Sequence, residues 1–134
     1  MTITRGKLAE QTGCHAETIR YYEKVGLLSE PDRSPAGYRI YSDEHVKQLK
    51  FILRSKALGF SAERIRSLVE LSNTADNHTR AEVKSVTADH IEEISLKIKD
   101  LQKLKSQLSK LSAHCDGSSK SAESCPILIS LLDE

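Results

Sequence analysis

RGKLAEQTGCHAETIRYYEKVGLL, residues 5–28, holds two helical pieces separated by Gly13. Leu8 and Ala9 of the first piece can face Ile19 and Tyr22 of the second across that turn. Ala9 is small enough for close helix approach, and Gly13 is free to take the positive φ that a tight turn requires. This is the spacing of a helix-turn-helix, with Thr18, Arg20 and Tyr21 among the polar or amphipathic positions of the second helix. An ordinary helical hairpin is the competing reading of the stretch taken alone.

The flanking segments extend the pattern. In SEPDRSPAGYRIYS, residues 29–42, Pro31, Pro35 and Gly37 break helix, while the alternation of Tyr38, Arg39, Ile40 and Tyr41 suits a short strand, so a hairpin wing is expected. Ser42 precedes Asp43 and Glu44, acidic residues suited to the positive end of a helix, and is the expected N-cap of the next helix, which Gly59 ends. Ser61 repeats the signal before a helix with Ile65, Leu68 and Val69 at helical spacing. NTADNH, residues 73–78, is polar and aperiodic and reads as a hinge. From about Arg80 to Ser112 there is neither Gly nor Pro, and Ile91, Ile94, Ile98, Leu101, Leu104, Leu108 and Leu111 recur every three or four residues. At 1.5 Å per residue that helix is roughly 50 Å long. A single small domain cannot bury such a stripe. Its simplest partner is the same stripe of a second chain, giving a coiled-coil homodimer; folding back onto the N-terminal domain is the alternative.

Composition narrows the function classes. A chain of 134 residues is one domain, or a small domain plus an extended element, with no room for a large enzyme core. Aromatics are few, four Tyr, two Phe and no Trp, and nearly a third of the residues are charged, which favours a mainly α fold. Net charge is +1, yet residues 1–72 carry twelve Lys or Arg against nine Asp or Glu and the remainder eight against ten, so the basic excess lies in the first half. No apolar run approaches the ~20 residues of a membrane span and the start lacks the apolar core of a signal peptide, so a cytoplasmic protein without a membrane partner is expected. No nucleophile, base and orienter constellation is present, which argues against an enzyme. Three cysteines in a reducing compartment argue for free thiols, of which Cys14 reads as a small buried residue.

The other two thiols end a glycine- and serine-containing loop in HCDGSSKSAESCPIL, residues 114–128. Proline in a first helical turn is a start signal, so Cys125, immediately before Pro126, lies at or beside an N-cap. The positive helix end acidifies its thiol, and thiolate is the form that binds soft metal ions. Cys115, at the end of the long helix, can approach it across residues 116–124. Two unrelated thiols in a tail, or a reversible disulfide sensor, are the alternatives.

The order of these parts resembles the MerR family of bacterial transcription regulators over nearly the whole chain. GKLAEQTG with ETIRYYEKVGLL, RSPAGYRIYSDEHVKQLKFI, KALGFSAERI and the cysteine loop ending in CPIL carry the resemblance. It implies a winged helix-turn-helix DNA-binding domain (1–72), a hinge (73–79), an antiparallel coiled-coil dimerisation helix (80–112) and a metal-binding loop with a short C-terminal helix (113–134). It also implies an activator that binds a palindromic promoter and distorts the duplex, acting on RNA polymerase indirectly through the promoter. A two-fold dimer would present two recognition helices to two half-sites. Carried over by motif, Arg20, Tyr21, Tyr38, Arg39, Arg54 and Lys56 would hold the DNA backbone, and His15, Glu17 and Thr18 would read base edges.

In the metal-sensing branch of that family, of the copper-efflux or zinc, cadmium and lead-efflux type, the residues matching Cys115 and Cys125 bind the ion. Sensors of divalent ions in the branch place a third cysteine at the start of the dimerisation helix, a place that Arg80 takes here. Softness and ligand count favour a monovalent Cu(I), Ag(I) or Au(I) ion on two thiolates. The nine-residue gap between the cysteines favours the alternative, Zn(II), Cd(II) or Pb(II), with His78 or His114 as possible added ligands; a thiol-based redox response is a further alternative. The implied mechanism is closure of the loop, ordering of the C-terminal helix, and a shift of the two DNA-binding domains that changes DNA geometry more than affinity.

Overall fold

Thr4 starts the first helix, its side-chain oxygen accepting from the Lys7 backbone N–H at 3.2 Å. In the computed structural model, which describes residues 1–132, that helix is α1 (Arg5–Thr12). It ends at Gly13, whose φ of 74° lies in the left-handed region and whose N–H returns to the Ala9 carbonyl. A β-carbon there would meet nothing within 4 Å, so the glycine serves backbone conformation and not close packing. α2 (Ala16–Lys24) follows, with Ile19 and Tyr22 buried on the face shared with Leu8. The helix-turn-helix is therefore formed as its spacing requires.

The wing is a two-stranded antiparallel ribbon, β1 (Asp32–Arg33) and β2 (Arg39–Ile40), pairing Asp32 with Ile40 and Arg33 with Arg39. The strand is shorter than the alternation of residues 38–41 predicts, because Tyr41 leaves the ribbon. It forms an isolated bridge with Ile3, and its side chain is fully buried. α3 (Asp43–Ala57) opens on a capping box in which the Ser42 backbone N–H donates to His45 Nδ1 at 3.1 Å. α4 (Ala62–Asn73) opens on Ser61, whose side chain accepts from the Arg64 N–H at 3.2 Å. α3 packs on α4 and on α1, around a core in which Leu8, Ile19, Leu28, Tyr41, Leu49 and Ile52 are fully buried. Cys14 joins that core, as expected of a small buried thiol. Arg66 of α4 donates to the Val25 carbonyl at 2.6 Å, tying α4 to the end of α2.

The polar stretch after α4 is more ordered than its composition predicts. The Thr74 hydroxyl donates to the Glu70 carbonyl at 2.8 Å, and a 3-10 turn covers Ala75–Asn77. α5 (Arg80–Ala113) is 34 residues long, and Ile91, Ile98, Leu101, Leu104 and Leu108 along it are each at least half exposed. A second 3-10 turn at Ala122–Ser124 leads to α6 (Pro126–Leu132). The chain forms two compact units, Met1–Lys84 and the residues from Ser85 onward, so the division falls inside α5.

Candidate functional site

α2 and the wing build one face of the first unit. Arg20 and Tyr21 are exposed on α2, and Arg39 and Tyr38 are exposed on and beside β2. Arg20, Lys24 and Arg39 line one open groove of about 460 Å³, together with Glu23, Glu30 and Pro31. The fold thus brings together the recognition-helix and wing cations that lie nineteen positions apart in sequence. His15 is the exposed N-cap residue of α2 without a side-chain cap bond, Glu17 is exposed in its first turn, and Thr18 is half-buried. Arg54 and Lys56 stand exposed in the last turn of α3, where cations suit the negative helix end. Tyr22, by contrast, is a core residue.

Beneath that face is a polar network that no local sequence signal marks. The Tyr41 hydroxyl donates to Glu23 Oε1, and Arg5 Nε donates to the Tyr41 oxygen at 2.9 Å. Arg5 also donates to Glu23 Oε2 at 2.9 Å, and Arg39 Nε lies 3.8 Å from the same oxygen. Burial, and then the bond to Glu23, push the Tyr41 hydroxyl above its ordinary pKa.

At the other end of the chain, Cys125 Sγ and Cys115 Sγ are 3.5 Å apart, joined by a thiol hydrogen bond. The Cys125 thiol is pulled below its ordinary pKa by the Leu128 backbone N–H, then by Cys115 and by the Ile127 N–H. That is the electrostatic effect of a helix start. Both sulfurs line an open cleft of about 410 Å³ with His114, Asp116 and Lys120. The Asp116 carboxylate is held below its usual range by the Ser118 backbone N–H, 3.0 Å away. Among the described residues, no group of three or more His, Cys, Asp or Glu side chains is gathered in a form that could hold a metal ion. The cysteines therefore come together as a pair, with His114 at the edge of their cleft. His78 has both ring nitrogens committed, Nδ1 to Glu82 at 2.7 Å and Nε2 to the Thr74 hydroxyl at 2.9 Å. A ligand role for it would require breaking one of these bonds. Cys14 differs from the pair, since burial pushes its thiol pKa up.

Residues 3–71 match the family described as MerR HTH family regulatory protein, and residues 46–111 match MerR, DNA binding. The chain belongs to the MerR family. Among MerR-family relatives, the mercuric resistance operon regulatory protein of Bacillus cereus is 38% identical over 132 residues, covering 98% of each chain. The transcription regulator PbrR691 from Ralstonia metallidurans CH34, solved in complex with lead(II), superposes with a TM-score of 0.85 at 34% identity. The match covers 96% of this chain and 98% of that one. HiNmlR, a MerR-family regulator lacking the sensor domain and solved on promoter DNA, gives a TM-score of 0.59 at 29% identity, covering 85% of this chain and 86% of its own. The chain is thus a MerR-type DNA-binding transcription regulator whose relatives are metal-responsive. No helix among the described residues is long and apolar enough to cross a membrane.

Proposed function

We propose that this protein is a metal-responsive activator that controls metal efflux or detoxification genes by distorting promoter DNA, and that Cys115 and Cys125 receive the ion. One observation carries the reading: two thiols 3.5 Å apart, one of them acidified at a helix start, on a chain whose other unit is a winged helix-turn-helix. On the DNA side, Arg20, Tyr21, Tyr38, Arg39, Arg54 and Lys56 are assigned to phosphates and His15, Glu17 and Thr18 to base edges. The exposure of the cations supports this. The apolar row of α5 is assigned to the same row of a second copy, since the exposed aliphatic side chains along it need a cover.

Cys115 and Cys125 would hold a soft ion through their two thiolate sulfurs, both thiols having given up their protons. The chain's own part is to bring both sulfurs together, Cys115 two residues past the end of α5 and Cys125 immediately before α6. A donor set of two soft thiolates fits a Cu(I)-type ion. A second reading, a divalent ion such as Zn(II), Cd(II) or Pb(II), is supported by the relative PbrR691, solved in complex with lead(II). His114, on the cleft edge, is the added ligand that this reading calls on. The expected outcome for Cys115→Ser or Cys125→Ser is loss of metal-induced transcription with operator binding retained. Induction that survives in both variants refutes the sensor assignment. X-ray absorption of the loaded protein separates the two readings, since two sulfur neighbours differ from a four-membered mixed shell.

A further inference from the structure

We infer that Glu23 is a positioning residue for DNA binding: its carboxylate, bonded to Tyr41 and Arg5, sets Arg39 of the wing at a fixed spacing from Arg20 of the recognition helix. The inference rests on the assignment of Arg39 to a DNA phosphate. The wing alone cannot orient Arg39, because β1 and β2 are two residues each and a lone two-stranded ribbon is marginal in water. Its anchors to the body of the domain lie next to Arg39. The Ile3 N–H donates to the Tyr41 carbonyl at 2.9 Å and the Tyr41 N–H to the Ile3 carbonyl at 2.8 Å. Tyr41 then donates through its buried hydroxyl to Glu23.

Glu23 is one-tenth exposed and sits three residues after Arg20 on α2, in the groove that Arg20 and Arg39 also line. A carboxylate on a face meant for phosphates repels them unless it organises cations, and here it does so. Oε1 takes the Tyr41 hydroxyl, Oε2 takes Arg5 at 2.9 Å, and Arg39 Nε is ion-paired with Oε2 at 3.8 Å, beyond hydrogen-bond reach. One carboxylate between two guanidinium groups leaves a net positive cluster. A guanidinium drawn to a carboxylate on its Nε side keeps its terminal Nη pair for a phosphate fork. Glu23 thus joins α1, the recognition helix and the wing in one contact, and its effect on DNA passes through Arg39.

The test is a double-mutant cycle on the full-length dimer, with Glu23→Gln, Arg39→Ala and the pair. Binding to a fluorescent duplex of its own promoter is followed by anisotropy across a salt series. Arg39→Ala should lower the salt slope by about 2 per dimer, one phosphate for each wing, and Glu23→Gln should lower it in the same direction with about a tenfold loss of affinity. The double variant should bind no worse than Arg39→Ala. If Glu23→Gln costs the same factor with and without Arg39, its role is general stability and the inference fails. Tighter binding by Glu23→Gln, the result of simply deleting a negative charge, also overturns it. An unchanged slope in Arg39→Ala removes the phosphate assignment itself, a failure distinguishable from the other two. Should Glu23→Gln fail to fold by circular dichroism, Tyr41→Phe, which removes only the hydroxyl that orients the carboxylate, carries the same cycle.

Discussion

Replacing Tyr41 by Phe isolates one hydroxyl in the DNA-binding unit. The ring stays, so its packing in the core stays. What is lost is a hydrogen bond donated to the Glu23 carboxylate and an acceptor for Arg5 Nε, 2.9 Å away. Hydrogen bonds to charged groups contribute about 1.5–3 kcal/mol, and a partner left short of water adds to the loss. Glu23 is only 10% exposed, so water replaces the hydroxyl poorly. Arg5 keeps its direct bond to Glu23, which holds the loss near 2 kcal/mol, a large share of the roughly 5–15 kcal/mol of a typical domain. For a unit of this size that lowers Tm by roughly 8–16 °C, at about 4–8 °C per kcal/mol. Urea unfolding followed by circular dichroism at fixed protein concentration measures it, since dimerisation makes apparent stability concentration-dependent.

The pH dependence gives a second check on the same bond. Because the folded pKa of Tyr41 is raised above its unfolded value near 10, its contribution is fully present below that pH. It is lost as pH rises through the folded pKa. The gap between the parent protein and Tyr41→Phe should therefore be flat from pH 6 to pH 9, on the order of 2 kcal/mol, and close above pH 10. A gap under about 0.5 kcal/mol at pH 7, within the range of ordinary surface changes, would refute the reasoning.

Two further outcomes follow from the same geometry. Under limiting iodoacetamide at neutral pH in the metal-free protein, mass spectrometry should find Cys125 alkylated first and Cys14 last, because a helix start acidifies the one and burial raises the other. Equal rates would remove the electrostatic account of the thiol pair. Leu101→Glu with Leu108→Glu should weaken the dimer at least a hundredfold in sedimentation, at about 1.5–3 kcal/mol per leucine side chain lost from the seam. An unchanged dimer would place the interface elsewhere.

Much of the fold is legible in the sequence because its signals are local. Gly13 marks the turn, Ser42 and Ser61 mark helix starts, and Leu8, Ile19 and Tyr22 mark the inner face. The thiol pair is legible for the same reason, since Pro126 fixes where the last helix begins. The Arg5, Glu23 and Tyr41 cluster is not, because its members are 18 and 36 positions apart and each alone has the look of a surface charge or a core ring. Tyr41 also explains why the wing strand is shorter than its alternation: a core position and two hydrogen bonds outcompete one more ribbon pair. His78 illustrates the opposite case. Its partners Thr74 and Glu82 lie four residues to either side, a spacing open to inspection once the turn between them is known to be ordered.

The boundary between the two compact units lies within a helix uninterrupted by Gly or Pro from Arg80 to Ala113. An insertion of one residue there would turn everything downstream by about 100°, whereas seven residues would come back nearly into phase. Changes of length in this helix that keep its apolar stripe in phase are therefore quantised in steps of about seven residues.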